Sequence, residues 1–520
     1  MAHVPSLPSV TVGVVTLGCD KNTVDTERYR AELAANGASL TRDLSAADVI
    51  IVNTCGFIDA AKKESIDALV SAGTYKESGS CRAVVAVGCM VERHRAELEE
   101  VLPEVDLFLG TSDAGQLVSS LADRGWLTPS LVPVHPGMRV YDGDLPHVRY
   151  LKISEGCDHG CAFCAIPLMR GRHRSFALAD VVREAQLLEL QGAREINLVA
   201  QDLAHYGRDR RDGTGLADVL GALVAETSVP WIRLLYLYSA GLTDRTLDLL
   251  AREPRLVKYL DMPIQHGSDP VLQRMRRPER VASIRATVER VRRVIPGVAL
   301  RTTCIVGFPG ETDDDFQRLL DLLEETQFER VGFFTYSAQA GTRANEMADD
   351  VPGGIKFERL ERATEHQRLI TGERYETRAG TIAHAIVDRP AGRADADMPW
   401  ASGGARSRLS WQADDIDGIT YLDRHDLPPG TIAEVRVDAV VDDYDFRATV
   451  RRVVSPAVAS SVLAGSGSEA GARGRRQLPL AMPGAVPGAV PGAVPGAVPG
   501  AVRGPTPGQT APSSVGSFGR

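Results

Sequence analysis

Apolar residues along this chain fall into three regimes. Up to about residue 128, short unbroken apolar runs end at Gly18, Thr54 and Gly88 and alternate with longer amphipathic stretches. Unbroken runs of this length, rather than strict alternation, predict strands buried on both faces of a parallel sheet. The stretches between them predict helices, so residues 10–128 read as β-α-β-α-β, a three-layer α/β domain. A Pro/Gly-rich connector covers 129–146. The alternation then resumes, with strands expected at 148–153, 195–199, 231–236, 257–262, 298–306 and 330–336. Helices are expected at 178–191, 215–226, 243–251, 282–294 and 313–326. Six such units within 147–374 fit a partial, open parallel β/α barrel. A charged helical stretch at 356–377 leads to a third regime. Short alternating strands at 381–387, 419–422, 431–440 and 446–453 predict a small all-β barrel over 375–455. From 456 to 520 the periodicity stops, and Pro-Gly-Ala-Val repeats five times from Pro483 to Val502. That composition cannot build a core, and the tail is expected to be disordered.

Charge and composition narrow the class. The 520 residues carry a formal net charge of −9. No apolar run of about 18 residues is present, so no membrane span is expected. The first residues lack a basic stretch and a cleavage site, so no signal peptide is expected. Eight cysteines in a long chain do not read as a disulfide framework. Free thiols point instead to a reducing cytoplasm.

Six of those cysteines carry the candidate chemistry. Cys157, Cys161 and Cys164 have C-x3-C-x2-C spacing. Three thiolates so close can hold three corners of a 4Fe-4S cubane, leaving one iron open to a substrate or cofactor. A zinc site with His159 or His173 as fourth ligand is the competing reading, although zinc sites favour paired C-x2-C units. Cys19, Cys55 and Cys89 each follow one of the first three apolar runs. In a parallel sheet, ligands collect at the carboxyl ends of strands, so these three are expected to converge on one edge. They too would leave one iron open. Cys304 lies in an apolar run and reads as core, while Cys81 reads as incidental.

Several polar residues are expected near the same mouth. Gln201 and Asp202 end the second barrel strand, Gln265 and His266 the fourth, and Arg301 lies on the fifth. Cofactor contact and structural hydrogen bonding both fit them. Gly307-Phe-Pro-Gly-Glu311-Thr312 follows the fifth strand. It suits close approach to an adenosine and equally a tight strand-to-helix turn capped by Thr312.

The pattern Cys-x3-Cys-x2-aromatic-Cys resembles the radical SAM signature. With Gly18-Cys-Asp-Lys-Asn-Thr-Val-Asp-Thr-Glu27, Asn53-Thr-Cys-Gly-Phe57 and Gly88-Cys89, the chain resembles the methylthiotransferases from about residue 12 to 453. The closing barrel resembles their TRAM domain. Lys152-Ile-Ser-Glu-Gly-Cys157, Asp261-Met-Pro-Ile-Gln-His266, Met275-Arg-Arg-Pro278 and Asp415-Ile-Asp-Gly-Ile-Thr-Tyr-Leu422 resemble the branch acting on ribosomal protein. The resemblance implies two 4Fe-4S clusters, S-adenosylmethionine as radical source and methyl donor, and a low-potential electron donor. It implies small-subunit ribosomal protein twelve, free or in the small ribosomal subunit, as the partner, methylthiolated on an aspartate β-carbon. Cys157, Cys161 and Cys164 would hold the cleaving cluster, and Cys19, Cys55 and Cys89 the sulfur-presenting one. Phe163, Gln201, Gln265, Arg301, Gly307 and Glu311 would face the cofactor. Phe176 departs from the arginine of relatives, leaving a basic contact to Arg170, Arg172 or Arg174.

Methylthiolation of a tRNA adenosine is the alternative. Residues 375–455 hold 14 acidic and 10 basic residues, a net of −4. That balance suits a basic protein target better than RNA, so no stable nucleic-acid partner is expected. Asp414, Asp415 and Asp417 are the expected contacts, with a solvated loop as their plain reading. A non-catalytic electron-transfer protein would not need the large barrel.

Overall fold

The computed structural model describes residues 10–128, 134–135, 137–390, 404–414 and 416–457. Asp415, residues 129–133 and 136 of the Pro/Gly-rich connector, and the tail beyond 457 therefore lie outside the described residues.

The first sheet forms from β1 (Thr11–Thr16), β2 (Ser39–Thr41), β3 (Val49–Thr54), β4 (Ala83–Gly88) and β5 (Leu107–Leu109). All its pairings are parallel, in the order β2-β1-β3-β4-β5. Its connections are α1 (Asp20–Ala35), α2 (Asp59–Ser78) and α3 (Cys89–Val101), with α4 (Leu117–Asp123) following β5. The unbroken apolar runs are explained by two cores. Val49, Ile51, Val85 and Val87 pack on one face with Tyr29 and Leu33 of α1. Ile50, Val52, Val84 and Ala86 pack on the other with Leu69 of α2 and Leu98 of α3. The strand order reverses between β1 and β3, where the adjoining helices leave on opposite faces, opening a crevice at the carboxyl edge.

The second sheet contains β6 (Val148–Lys152), β9 (Glu195–Val199), β10 (Trp231–Leu234), β11 (Leu256–Asp261), β12 (Ala299–Val306) and β13 (Arg330–Thr335). It is an open parallel sheet in the order β13-β12-β11-β10-β9-β6. The helices α6 (Leu178–Leu190), α7 (Leu216–Glu226), α8 (Asp244–Arg252), α10 (Val281–Val294) and α11 (Asp313–Thr326) connect its strands, with the short α9 (Asp269–Arg274) before α10. Two short strands, β7 (Ser154–Glu155) and β8 (Arg174–Ser175), pair antiparallel and clasp the loop between them. Within that loop α5 (Ile166–Arg170) follows the last cysteine of the triplet. Gly156 starts the loop at φ +78°, and a Cβ there would sit 2.1 Å from the Arg172 carbonyl oxygen. Only glycine fits that close approach.

The long helix α12 (Gly353–Glu376) leads into a closed barrel of β14 (Ile382–Pro390), β15 (Ala405–Leu409), β16 (Thr420–Leu422), β17 (Ile432–Val440) and β18 (Phe446–Ser455). This barrel packs into the concave side of the open sheet. Trp231, Val257, Tyr259 and Ala299 share one core with Ala385, Leu409, Trp411 and Phe446. Polar anchors fix the contact. The Tyr150 hydroxyl donates to Asp414 Oδ2 at 2.6 Å, and Asn197 Nδ2 donates to Asp414 Oδ1 at 3.0 Å. The Tyr259 hydroxyl donates to Asp417 Oδ2 at 2.6 Å, and Arg330 Nε lies 3.3 Å from Asp417 Oδ1. Glu195 accepts from Arg233 at 2.8 Å and from Arg408 at 2.7 Å.

These contacts correct one expectation. Asp414 and Asp417 are buried, so they are not exposed contacts for a basic partner. Their carboxylates answer the hydroxyl, amide and guanidinium groups that the strands turn into the half-barrel. Leaving those groups unpaired would cost more than burying the acids with them. The negative net charge of this domain is therefore partly internal.

Candidate functional site

The carboxyl edges of the two sheets face one another across a cavity of about 150 Å³. Its lining includes Cys19, Cys55, Cys89, Cys157, Cys161 and Cys164. Each of the first three arrives by a strand end. Cys19 precedes α1 just beyond β1, Cys55 follows β3 directly, and Cys89 opens α3 directly after β4. The Ser65 hydroxyl holds Cys55 from both sides, accepting from its N–H at 2.9 Å and donating to its carbonyl at 3.0 Å. The second three come from the single clasped loop. Among the described residues the lining offers soft thiols and no carboxylate, which is the donor chemistry of iron–sulfur clusters rather than of hard cations.

Burial governs these thiols. It pushes Cys89 up to about 11, against the pull of Arg170, and Cys157 to about 12. Cys55 and Cys164 are raised by burial as well. Buried thiols of this kind hold their protons until a metal displaces them.

Guanidinium groups serve both triads. Arg170, at the end of α5, directs Nε to Cys89 Sγ at 3.1 Å. The same side chain bonds Asn22, reaches Asp25 at 2.6 Å and Glu155 at 3.3 Å. It ties the loop of the second triad to the helix behind the first. Arg277 lies 3.8 Å from Cys161 Sγ and stacks over the Tyr238 ring, with Glu279 at 3.2 Å. His159 stacks on the Tyr238 ring at 4.1 Å, and its Nε2 is 2.8 Å from Asp202 Oδ2. His173 bonds Ser175 instead and lies outside the lining. Tyr236 and Gln265 hold φ of +64° and +73° at their strand ends. Such strained residues persist where surrounding structure fixes them, and they gather at functional sites.

Of the residues expected to face the cofactor, Phe163, Gln201 and Gln265 line the cavity. Arg301, Gly307 and Glu311 do not. Arg301 is the third residue of the eight-residue β12, well short of its carboxyl end, and pairs with Asp261 at 2.9 Å. Gly307 backs onto α12, where a Cβ would meet Lys356 Cγ at 2.3 Å. Glu311 accepts from Phe308 N–H and from Arg359, both at 3.1 Å, and so braces the turn onto α12. Thr312 caps α11 as expected, accepting from Asp315 N–H. Cys304 is core as expected, and Cys81 is buried.

Sequence reasoning passed over Lys21, Asn22, Tyr236, Tyr238 and Arg277, all in the lining. Signals for them existed. Lys21 and Asn22 follow Cys19 directly, Tyr236 and Tyr238 end the third barrel strand, and Arg277 lies in the Met-Arg-Arg-Pro run.

A parallel half-barrel with a three-cysteine loop at its mouth defines the class, a radical SAM enzyme. The profile of the Radical SAM superfamily matches residues 151–323, and that of Uncharacterized protein family UPF0004 matches residues 11–110. Three relatives carry the name Ribosomal protein uS12 methylthiotransferase RimO. The protein from Anaeromyxobacter sp. (strain K) is 44% identical, over 85% of this chain and 92% of its own. That from Desulforudis audaxviator (strain MP104C) is 41% identical over 84% and 96%. That from Geobacter sulfurreducens (strain ATCC 51573 / DSM 12127 / PCA) is 40% identical over 84% and 97%. The chain belongs to the RimO family of radical SAM methylthiotransferases. Among the described residues no helix is long and apolar enough to cross a membrane.

Proposed function

We propose that this chain methylthiolates the β-carbon of an aspartate in ribosomal protein uS12. The convergence of two cysteine triads on one cavity carries the reading. Cys157, Cys161 and Cys164 would hold one 4Fe-4S cluster with S-adenosylmethionine, and Cys19, Cys55 and Cys89 a second. When bound, these groups supply a carbon-centred radical oxidant and a methylated sulfur, chemistry that no side chain offers.

The chain's own residues set the conditions for it. A C–H bond beside a carboxylate is not acidic enough for an ordinary base, and the lining holds no carboxylate base. Phe163, Met169, Leu237 and Pro263 make much of the wall apolar and exclude water. Gln201 and Gln265 each present an amide oxygen without a partner, free to orient a polar cofactor. Arg277 and Arg170 place positive charge beside one thiol of each triad. Electrons would come from a low-potential donor, and the free thiols suit a reducing cytoplasm.

Mass spectrometry of uS12 from cells with and without this gene tests the reading. A methylthio group that disappears with the gene supports it. An unmodified uS12 in both, with a tRNA adenosine losing the group instead, moves the activity to RNA.

A further inference from the structure

Among the described residues that line the cavity, Lys21 is the cation without a paired carboxylate. It is 8% exposed, and its ammonium rests 3.1 Å from the centroid of the Tyr236 ring. Among the described residues no carboxylate oxygen pairs with it within 4.0 Å, and none lines the cavity. The two lining guanidinium groups have carboxylate partners: Arg170 has Asp25 and Glu155, Arg277 has Glu279. An ammonium has three donors to satisfy, and a ring face answers only its charge. Asp20 and Asp261 act on it only without direct pairing, so a directly bonded anion can come from outside the chain.

We propose that Lys21 receives a carboxylate, that of the target aspartate side chain, and thereby selects aspartate over asparagine. This rests on the proposed function. The β-carbon of aspartate is bonded to the carboxylate carbon, so fixing the carboxylate fixes the reacting carbon. Lys21 is two residues from Cys19 on α1, so the anchor lies on the side of the first triad. S-adenosylmethionine also bears a carboxylate. On the side of the second triad Arg277, paired with Glu279 through its Nη2, keeps its Nε without a partner to meet that carboxylate, and the open amide oxygens of Gln201 and Gln265 can accept from the cofactor's ammonium.

The test uses reconstituted holoenzyme, purified uS12, and uS12 with the modified aspartate changed to asparagine. A hydrogen bond between charged groups predicts that wild-type enzyme binds the aspartate form about 10- to 100-fold more tightly. Lys21→Met should bind both forms alike, with unchanged iron content and unchanged S-adenosylmethionine affinity, and Lys21→Arg should restore part of the preference. Equal binding of the two forms by wild-type enzyme overturns the proposal whether or not a variant folds. So does a Lys21→Met enzyme that keeps the wild-type preference. Loss of S-adenosylmethionine affinity with the preference intact overturns it in favour of the cofactor's carboxylate. A wild-type enzyme that leaves uS12 unmodified in cells removes the functional reading itself, an outcome separate from all of these.

Discussion

The two cysteine triads reach one cavity by opposite routes. Cys157, Cys161 and Cys164 occupy eight residues of one loop, clasped by a two-stranded ribbon. Cys19, Cys55 and Cys89 span seventy-one residues and meet only because β1, β3 and β4 are adjacent and parallel. A local triad tolerates disturbance of the sheet beneath it. A triad assembled by topology exists only when the sheet does. The cations differ too: Arg170 lies 3.1 Å from a thiol of the dispersed triad, and Arg277 3.8 Å from one of the local triad.

The strongest test removes each triad whole. Replacing Cys157, Cys161 and Cys164 by Ala should abolish cleavage of S-adenosylmethionine and halve the iron of reconstituted protein, from about eight irons to about four. Full iron in that variant would refute two separate sites. Replacing Cys19, Cys55 and Cys89 by Ala should halve the iron as well. That variant should still release 5′-deoxyadenosine while making no methylthiolated uS12. Product formation by it would show that the dispersed triad is not the sulfur site.

Arg170 offers a finer test. Arg170→Gln removes a charge-assisted bond to Cys89, worth about 1.5–3 kcal/mol. Without the nearby cation, reduction of a cluster at the dispersed triad becomes harder, and its potential should fall by roughly tens of millivolts. Product formation should slow about tenfold, while cleavage of S-adenosylmethionine changes little. Redox titration followed by electron paramagnetic resonance reads both clusters in one sample. An equal shift at both would show that Arg170 does not belong to one triad.

The contrast also explains what was legible in the sequence. The local triad was readable from spacing alone, and the strands ending at Thr54 and Gly88 from unbroken apolar runs. The dispersed triad followed from one rule about the carboxyl ends of parallel strands. Contacts made across elements were harder to read. Arg233, Glu195 and Tyr259 look out of place in buried strands until the C-terminal barrel supplies Arg408 and Asp417. Arg301 was expected at the mouth because it lies on the right strand. Its height on the strand, not its membership, decides what it touches.

Asp417 gives the smallest effect and a control for both triads. Its carboxylate is fully buried between Tyr259, Arg330 and the Ala413 N–H, on the far side of the half-barrel from the mouth. Asp417→Asn keeps the shape and removes the charge that answers Arg330. The loss is expected to be about 1–3 kcal/mol of stability, seen as a lower Tm. Iron content and cleavage of S-adenosylmethionine should stay at wild-type values, because neither triad touches this residue. Binding of uS12 should also hold, since a buried acid offers no surface to a basic partner. A variant with normal Tm and weakened uS12 binding would reverse this assignment and return Asp417 to the substrate surface.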